Sequence, residues 1–121
     1  MNAAKQHSER SRASGLSIHE AVGHALRAHG PTRLHHDDGE TMAEIFVHRG
    51  YVIHAHVNGL VGVPAIAAML GANLDLDVEY EAWPSRCTLL ATWDALCREA
   101  DHHRSRVLHA PPRDDDATAR I

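Results

Sequence analysis

The chain has 121 residues, with 12 Lys and Arg against 16 Asp and Glu, 12 His, two Cys and a formal charge of -4 when His is neutral. A single domain of this size can bury a core with room for one simple function. The charge balance offers no broad basic surface for nucleic acid or an anionic membrane, and no apolar run approaches the roughly 20 residues of a spanning helix. The polar start lacks a signal-peptide pattern, so a cytoplasmic chain is expected.

Taken in order, residues 1–14 lack apolar periodicity and are expected to form a disordered tail, with one ordered domain over 15–101. Ser17 and Glu20 make a capping box, after which Ile18, Ala21, Val22, Ala25 and Leu26 recur at helical spacing until Gly30-Pro31. That predicts a first helix over 18–29. Thr32 to His36 reads as a strand and Asp37-Asp38-Gly39 as a turn. Two β-branched runs, Glu44 to His48 and Tyr51 to Val57, then flank Arg49-Gly50, which reads as a hairpin with Gly50 supplying the positive φ of its turn. Strict alternation places Tyr51, Ile53, Ala55 and Val57 on one side of the second run and Val52, His54 and His56 on the other.

Asn58-Gly59 is a further turn, Gly62 permits a close backbone approach, and Pro64 opens a helix over 64–70 that Gly71 is expected to close. The cleanest alternation follows: Leu74, Leu76, Val78 and Tyr80 on one face, Asp75, Asp77, Glu79 and Glu81 on the other. Trp83-Pro84 ends that strand. A last amphipathic helix is expected over 86–101, with Leu89, Leu90, Trp93, Leu96, Cys97 and Ala100 on one stripe. Cys87 and Cys97 would then lie about 15 Å apart on one helix, too far for a disulfide, and read as reduced structural thiols. Residues 102–121, interrupted by Pro111-Pro112, are expected to be a disordered tail. The expected fold is therefore α+β, an antiparallel four-stranded sheet with helices packed on one face, in the order αβββαβα.

The succession of an apolar strand, Arg49-Gly50, Tyr51-Val52-Ile53-His54-Ala55, a short polar gap, Gly62 and a small-residue helix resembles the PATAN domain of bacterial signalling proteins. Gly15-Leu16, Ala65, Leu70, Gly71 with Leu74, and Thr88-Leu89-Leu90 stand in the order that family shows, so the likeness covers about residues 15–101. Pro31-Thr32 stands where the family usually has a Gly before its first strand, and Leu70-Gly71-Ala72 where it has an aromatic. The resemblance implies a non-catalytic regulatory module acting with receiver and other signalling domains in two-component or motility-type pathways.

Candidate chemistry is sparse. His19 and His24 around Glu20 look like a zinc-protease signature, but they stand five apart, which turns the second imidazole about 140° round the helix from the first. No nucleophile elbow or phosphate loop is present, so no catalytic residue and no cofactor are assigned and the chain is read as no enzyme. His54 and His56, two apart on a strand, are the better metal candidates, and a small His-dependent metal- or ligand-binding protein is the alternative function. Twelve His also raise the idea of a pH sensor.

The leading expectation is a protein-docking face formed by His54, His56, Asp75, Asp77, Glu79 and Glu81, with Gly50, Gly62 and Gly71 as structural turns. Its partner would be a response regulator, kinase or small GTPase. An uncovered sheet edge would also suit a symmetric homodimer.

Overall fold

The computed structural model describes residues 12–109, so the tail readings for 1–11 and 110–121 fall outside the described residues. The elements are β1 (Arg12–Leu16), α1 (Ile18–Arg27), β2 (Thr32–Asp37), β3 (Met42–His48), β4 (Tyr51–Val57), β5 (Leu60–Val61), α2 (Val63–Ala72), β6 (Leu76–Tyr80) and α3 (Trp93–His109). All strands join one antiparallel sheet in the order β1-β6-β2-β3-β4-β5.

This corrects the expected four-stranded sheet and the order αβββαβα: the sheet has six strands and the chain runs βαββββαβα. Both extra strands lie at the edges, where pairing with a neighbour rather than an alternating pattern makes a strand. β1 begins inside the segment read as a tail and is held against β6, with the Gly15 N–H donating to the Asp77 carboxylate at 3.0 Å. β5 is two residues long, folded back onto β4 by the Asn58-Gly59 turn.

The local signals act as their chemistry requires at several ends. The Glu20 N–H donates to Ser17 Oγ at 3.3 Å while the Ser17 N–H donates to Glu20 Oε1 at 3.0 Å, closing the capping box at α1. Arg49 and Gly50 both have positive φ, 54° and 84°, which matches the twist of the β3–β4 hairpin. Gly62 caps α2 with φ 80°, where a Cβ would come within 3.6 Å of the Leu89 side chain. Gly71, however, lies inside α2. The helix closes at Asn73, whose left-handed backbone (φ 55°, ψ 50°) lets its N–H reach the Met69 and Leu70 carbonyls at 3.1 and 3.3 Å.

The last helix starts seven residues later than expected, at Trp93 instead of Arg86, and runs on to His109, through residues 102–109 that were expected to belong to a disordered tail. Residues 88–91 are drawn into the sheet instead: the Val52 N–H donates to the Ala91 carbonyl at 2.7 Å, and the Ala91 N–H returns to Val52 at 3.2 Å. Thr92 then caps α3 by accepting the Ala95 N–H at 3.2 Å. Cys87 is consequently exposed and off the helix, so the same-helix separation from Cys97 does not apply. Leu90 leaves the apolar stripe and is 72% exposed.

One apolar cluster unites the helices with one pleat of the sheet. Directly opposed residues share a face, and the buried rows are Thr32, Val47 and Val52, then Val78, Leu34, Ile45 and Ala55. Ile18, Ala21 and Val22 of α1, Ala65, Ile66 and Met69 of α2, and Trp93 and Leu96 of α3 close over them. Each fully buried Leu, Ile or Val there contributes roughly 1.5–3 kcal/mol. A bulge on β4 corrects its expected alternation: Phe46 opposes His54 and Val47 opposes Val52, so Ile53 is the additional residue and Val52 joins the core with Ala55 and Val57.

Candidate functional site

The opposite pleat carries two polar rows. Glu79, Arg33, Phe46 and His54 form one, and Asp77, His35, Glu44, His56 and Val61 the other. Glu79, Arg33, Glu44, His56 and His54 of these rows are linked in succession, ending on Thr88. Arg33 donates through Nε to Glu44 Oε2 and through Nη1 to Glu79 Oε1 at 2.9 Å. Glu44 Oε1 lies 3.6 Å from His56 Nδ1, which is 3.0 Å from His54 Nε2, and His54 Nδ1 is 2.7 Å from Thr88 Oγ1.

Placing a proton on His56 Nδ1 avoids setting its lone pair against the Glu44 oxygen. His56 then donates to His54 Nε2, and His54 donates from Nδ1 to Thr88. Burial holds the His54 pKa below the usual imidazole value, helped by neighbouring His56 and Arg86 and opposed by Glu44. His35 is lowered as well, first by burial and then by Arg33. For His36 burial acts downward, but the Asp75 carbonyl at 2.9 Å and the Asp38 and Asp37 carboxylates outweigh it and raise the pKa. The His36 Nε2 to Asp38 Oδ2 approach of 3.2 Å is an ion pair when His36 is protonated, and its alignment is too poor for a hydrogen bond.

A strap, residues 82–91, crosses this face. The Ala82 N–H donates to the Pro31 carbonyl at 3.0 Å, and the Trp83 ring packs edge-on to His48 with centroids 4.7 Å apart. Thr88 and Leu89 N–H groups converge on the Ile53 carbonyl at 2.9 and 3.3 Å. Between the strap and the rows lies a cleft of about 640 Å³, lined by Arg33, Glu44, His56, Glu79, Trp83 and Arg86 among others. A smaller cleft of about 300 Å³ lies where His24 and Arg27 approach Tyr80 and Glu81.

The six residues expected to form one docking face are only partly brought together. His54 is 6% exposed, its ring 5.9 Å from Phe46, so it acts as an internal strut rather than a contact group. His56 is half-buried beside it, while Asp77 and Glu79 lie in the polar rows. Asp75 precedes β6 and contributes its carbonyl to His36. Glu81 adopts φ 61° beyond the strand, and its carboxylate lies against Gly30, at the smaller cleft.

The two histidines of α1 diverge as the spacing requires: His19 Nδ1 accepts from Trp93 Nε1 at 3.2 Å, and His24 Nδ1 lies 3.5 Å from the Tyr80 hydroxyl. Arg33, Trp83 and Thr88 were not among the expected site residues. Arg33 alternates with Leu34 and could have been read as the cation of the polar face. Thr88 could not, because it fell inside a region with helical periodicity.

Among the described residues no group of three or more His, Cys, Asp or Glu is arranged to hold a metal ion, and no helix is long and apolar enough to cross a membrane. Comparison with family models, curated proteins and solved structures finds no match.

Proposed function

We propose that the chain is a non-catalytic, PATAN-like docking module of bacterial signal transduction, working in the cytoplasm and presenting the strap side of its sheet to a signalling protein such as a response regulator. The observation that carries this reading is that the groups with reactive potential are tied to one another. His54 engages both ring nitrogens with His56 and Thr88, and Arg33 donates through Nε to Glu44 and through Nη1 to Glu79. What remains for a partner is a surface of mixed charge rimmed by Trp83, 63% exposed. Aromatic side chains and Arg beside satisfied polar groups are common at protein contacts.

The test immobilises the full chain and asks whether a receiver-domain protein from a bacterial lysate is retained. Arg86→Glu and Trp83→Ala should each reduce retention at least about tenfold, as expected for side chains that carry an interface, with the circular dichroism spectrum of the folded chain unchanged. Equal retention by both variants would overturn the docking face. Stoichiometric zinc in protein purified without a tag, lost in a His54→Ala/His56→Ala variant, would instead establish the metal-binding alternative.

A further inference from the structure

Two turns of the sheet set a side-chain carbonyl just before a Gly: Asp38-Gly39 between β2 and β3, and Asn58-Gly59 between β4 and β5. In such a pair the Gly amide nitrogen can close a succinimide ring on the preceding side chain, because no Cβ stands in its way. The structure treats the two differently.

At the first turn both reacting groups are engaged. The Gly39 N–H donates to the Asp37 carboxylate at 3.0 Å, and the Asp38 carboxylate accepts from the Thr41 and Glu40 N–H groups at 2.8 and 3.0 Å. Those bonds, with His36 beside them, hold the Asp38 pKa down to about 2, so the group stays ionised and offers no leaving group.

At the second turn both are free. Asn58 and Gly59 are exposed, the Gly59 N–H and Asn58 Nδ2 make no hydrogen bond among the described residues, and a Cβ at Gly59 would meet nothing within 4 Å. Asn58 Oδ1 accepts the Met42 N–H at 2.9 Å. That donor rests on the oxygen that takes up negative charge when the side-chain carbonyl is attacked, a contact that lowers the barrier. Asn73, also exposed and with φ 55° against 52° for Asn58, lacks both features: Leu74 follows it, and no donor meets its side chain among the described residues.

We infer that Asn58 is a deamidation site of the folded chain, and that its products alter the cleft and the pairing of β5. The Gly59 nitrogen bonds to Asn58 Cγ and gives its proton to solvent. The Cγ–Nδ2 bond breaks, and Nδ2 takes a proton from water and leaves as ammonia. Water then opens the succinimide, at Cγ to give aspartate or at the Asn58 backbone carbonyl to give isoaspartate, whose main chain runs through the side chain. Water is the only co-reactant, and nothing is oxidised. Either product adds a carboxylate to a chain of formal charge -4, at a residue that lines the cleft with His56 and Arg86. Isoaspartate also lengthens the short turn that lets Val57 pair with Leu60. The reaction does not depend on the docking proposal above.

The experiment holds the full chain folded in mildly alkaline buffer at physiological temperature and maps its peptides by mass. Asn58 should gain the mass of an amide-to-acid exchange before Asn73 does, with ammonia released in equal amount and no isoaspartate at Asp38. Gly59→Ala should fold and lose most of the product. In the isoaspartyl form, isolated by ion exchange, the Gly62 amide should exchange hydrogen at least about tenfold faster, since its 2.9 Å bond to the Ala55 carbonyl depends on the turn. Asn58→Asp, with the same charge on a normal main chain, should leave that exchange unchanged. An Asn58 that stays intact in the folded chain while the urea-unfolded chain reacts overturns the inference, and so does earlier reaction at Asn73. Equal Gly62 exchange in the isoaspartyl and unmodified forms overturns the effect on β5.

Discussion

The two faces of the β3–β4 hairpin are made from the same strands, yet they are held together by different forces. On the helix side, Ile45, Val47, Val52 and Ala55 are buried among aliphatic groups, where contact is non-directional and the cost of a change scales with the volume removed. On the strap side, Glu44, His54 and His56 are satisfied only through particular partners at particular distances. The first face tolerates exchange of one apolar group for another of similar size. The second is brittle, because each member left without its partner becomes a desolvated polar group.

The sharpest way to break that contrast is to change Ile45 of β3 in two ways. Ile45→Ala should lower unfolding stability by about 2–5 kcal/mol in urea titrations, the usual cost of an emptied core site, whereas Ile45→Leu should cost less than about 1.5 kcal/mol. Equal losses from both variants would show that this core depends on shape as strictly as the polar face does.

On the other side, Thr88→Val removes the hydroxyl that meets His54 and should cost about 1–3 kcal/mol. Thr88→Ser should retain most of the stability. Hydrogen exchange at the Ala91 amide should accelerate in the valine variant, since the strap loses one of its anchors. Unchanged exchange would mean that the backbone bonds alone fasten it.

A double-mutant cycle sharpens the picture further. Arg33 and Glu44, with side chains 28% and 17% exposed, should couple by about 1–2 kcal/mol. Arg33 and Glu79, whose side chain is 50% exposed, should couple by less than about 1 kcal/mol because water screens the pair.

The mildest probe is pH. The His54 pKa is lowered by folding, so between its unfolded value near 6.5 and its lower folded value the unfolded chain binds more protons. The contribution of His54 is intact above about 6.5 and declines on acidification. His35 acts in the same sense, and His36, whose pKa is raised, acts oppositely, stabilising the fold at acid pH and ceasing to do so as pH rises through its folded pKa. His54→Gln should therefore show a flatter fall in melting temperature below about pH 6.5 than the unmodified chain. An identical slope would remove His54 from the acid response.

Much of the central fold was legible because its signals are local. Ser17 with Glu20, Arg49-Gly50, and the alternation around Leu76 and Val78 each specify their structure within a few residues. The misplaced elements depend on distant partners. Nothing in Arg12–Leu16 marks a strand until β6 is beside it, and Thr88 to Ala91 shows helical spacing that the vacant border of β4 overrides. The site suffered most from this. His54 and His56 were recognisable as a pair on one face, but the strap that buries His54 comes from a segment assigned to a helix. That assignment hid Thr88 and made an interior ring look like a surface one.

The irregularity at Ile53 has one more implication. Without that residue, Val52 and His54 would follow each other in regular phase, and β4 would be a flat ladder partner for β3. Its carbonyl is where two strap amides land. A chain one residue shorter here would keep the aliphatic interior but lose that carbonyl as an anchor, leaving Ala91 on Val52, Thr88 on His54 and Trp83 on His48 to hold the outer wall of the cleft.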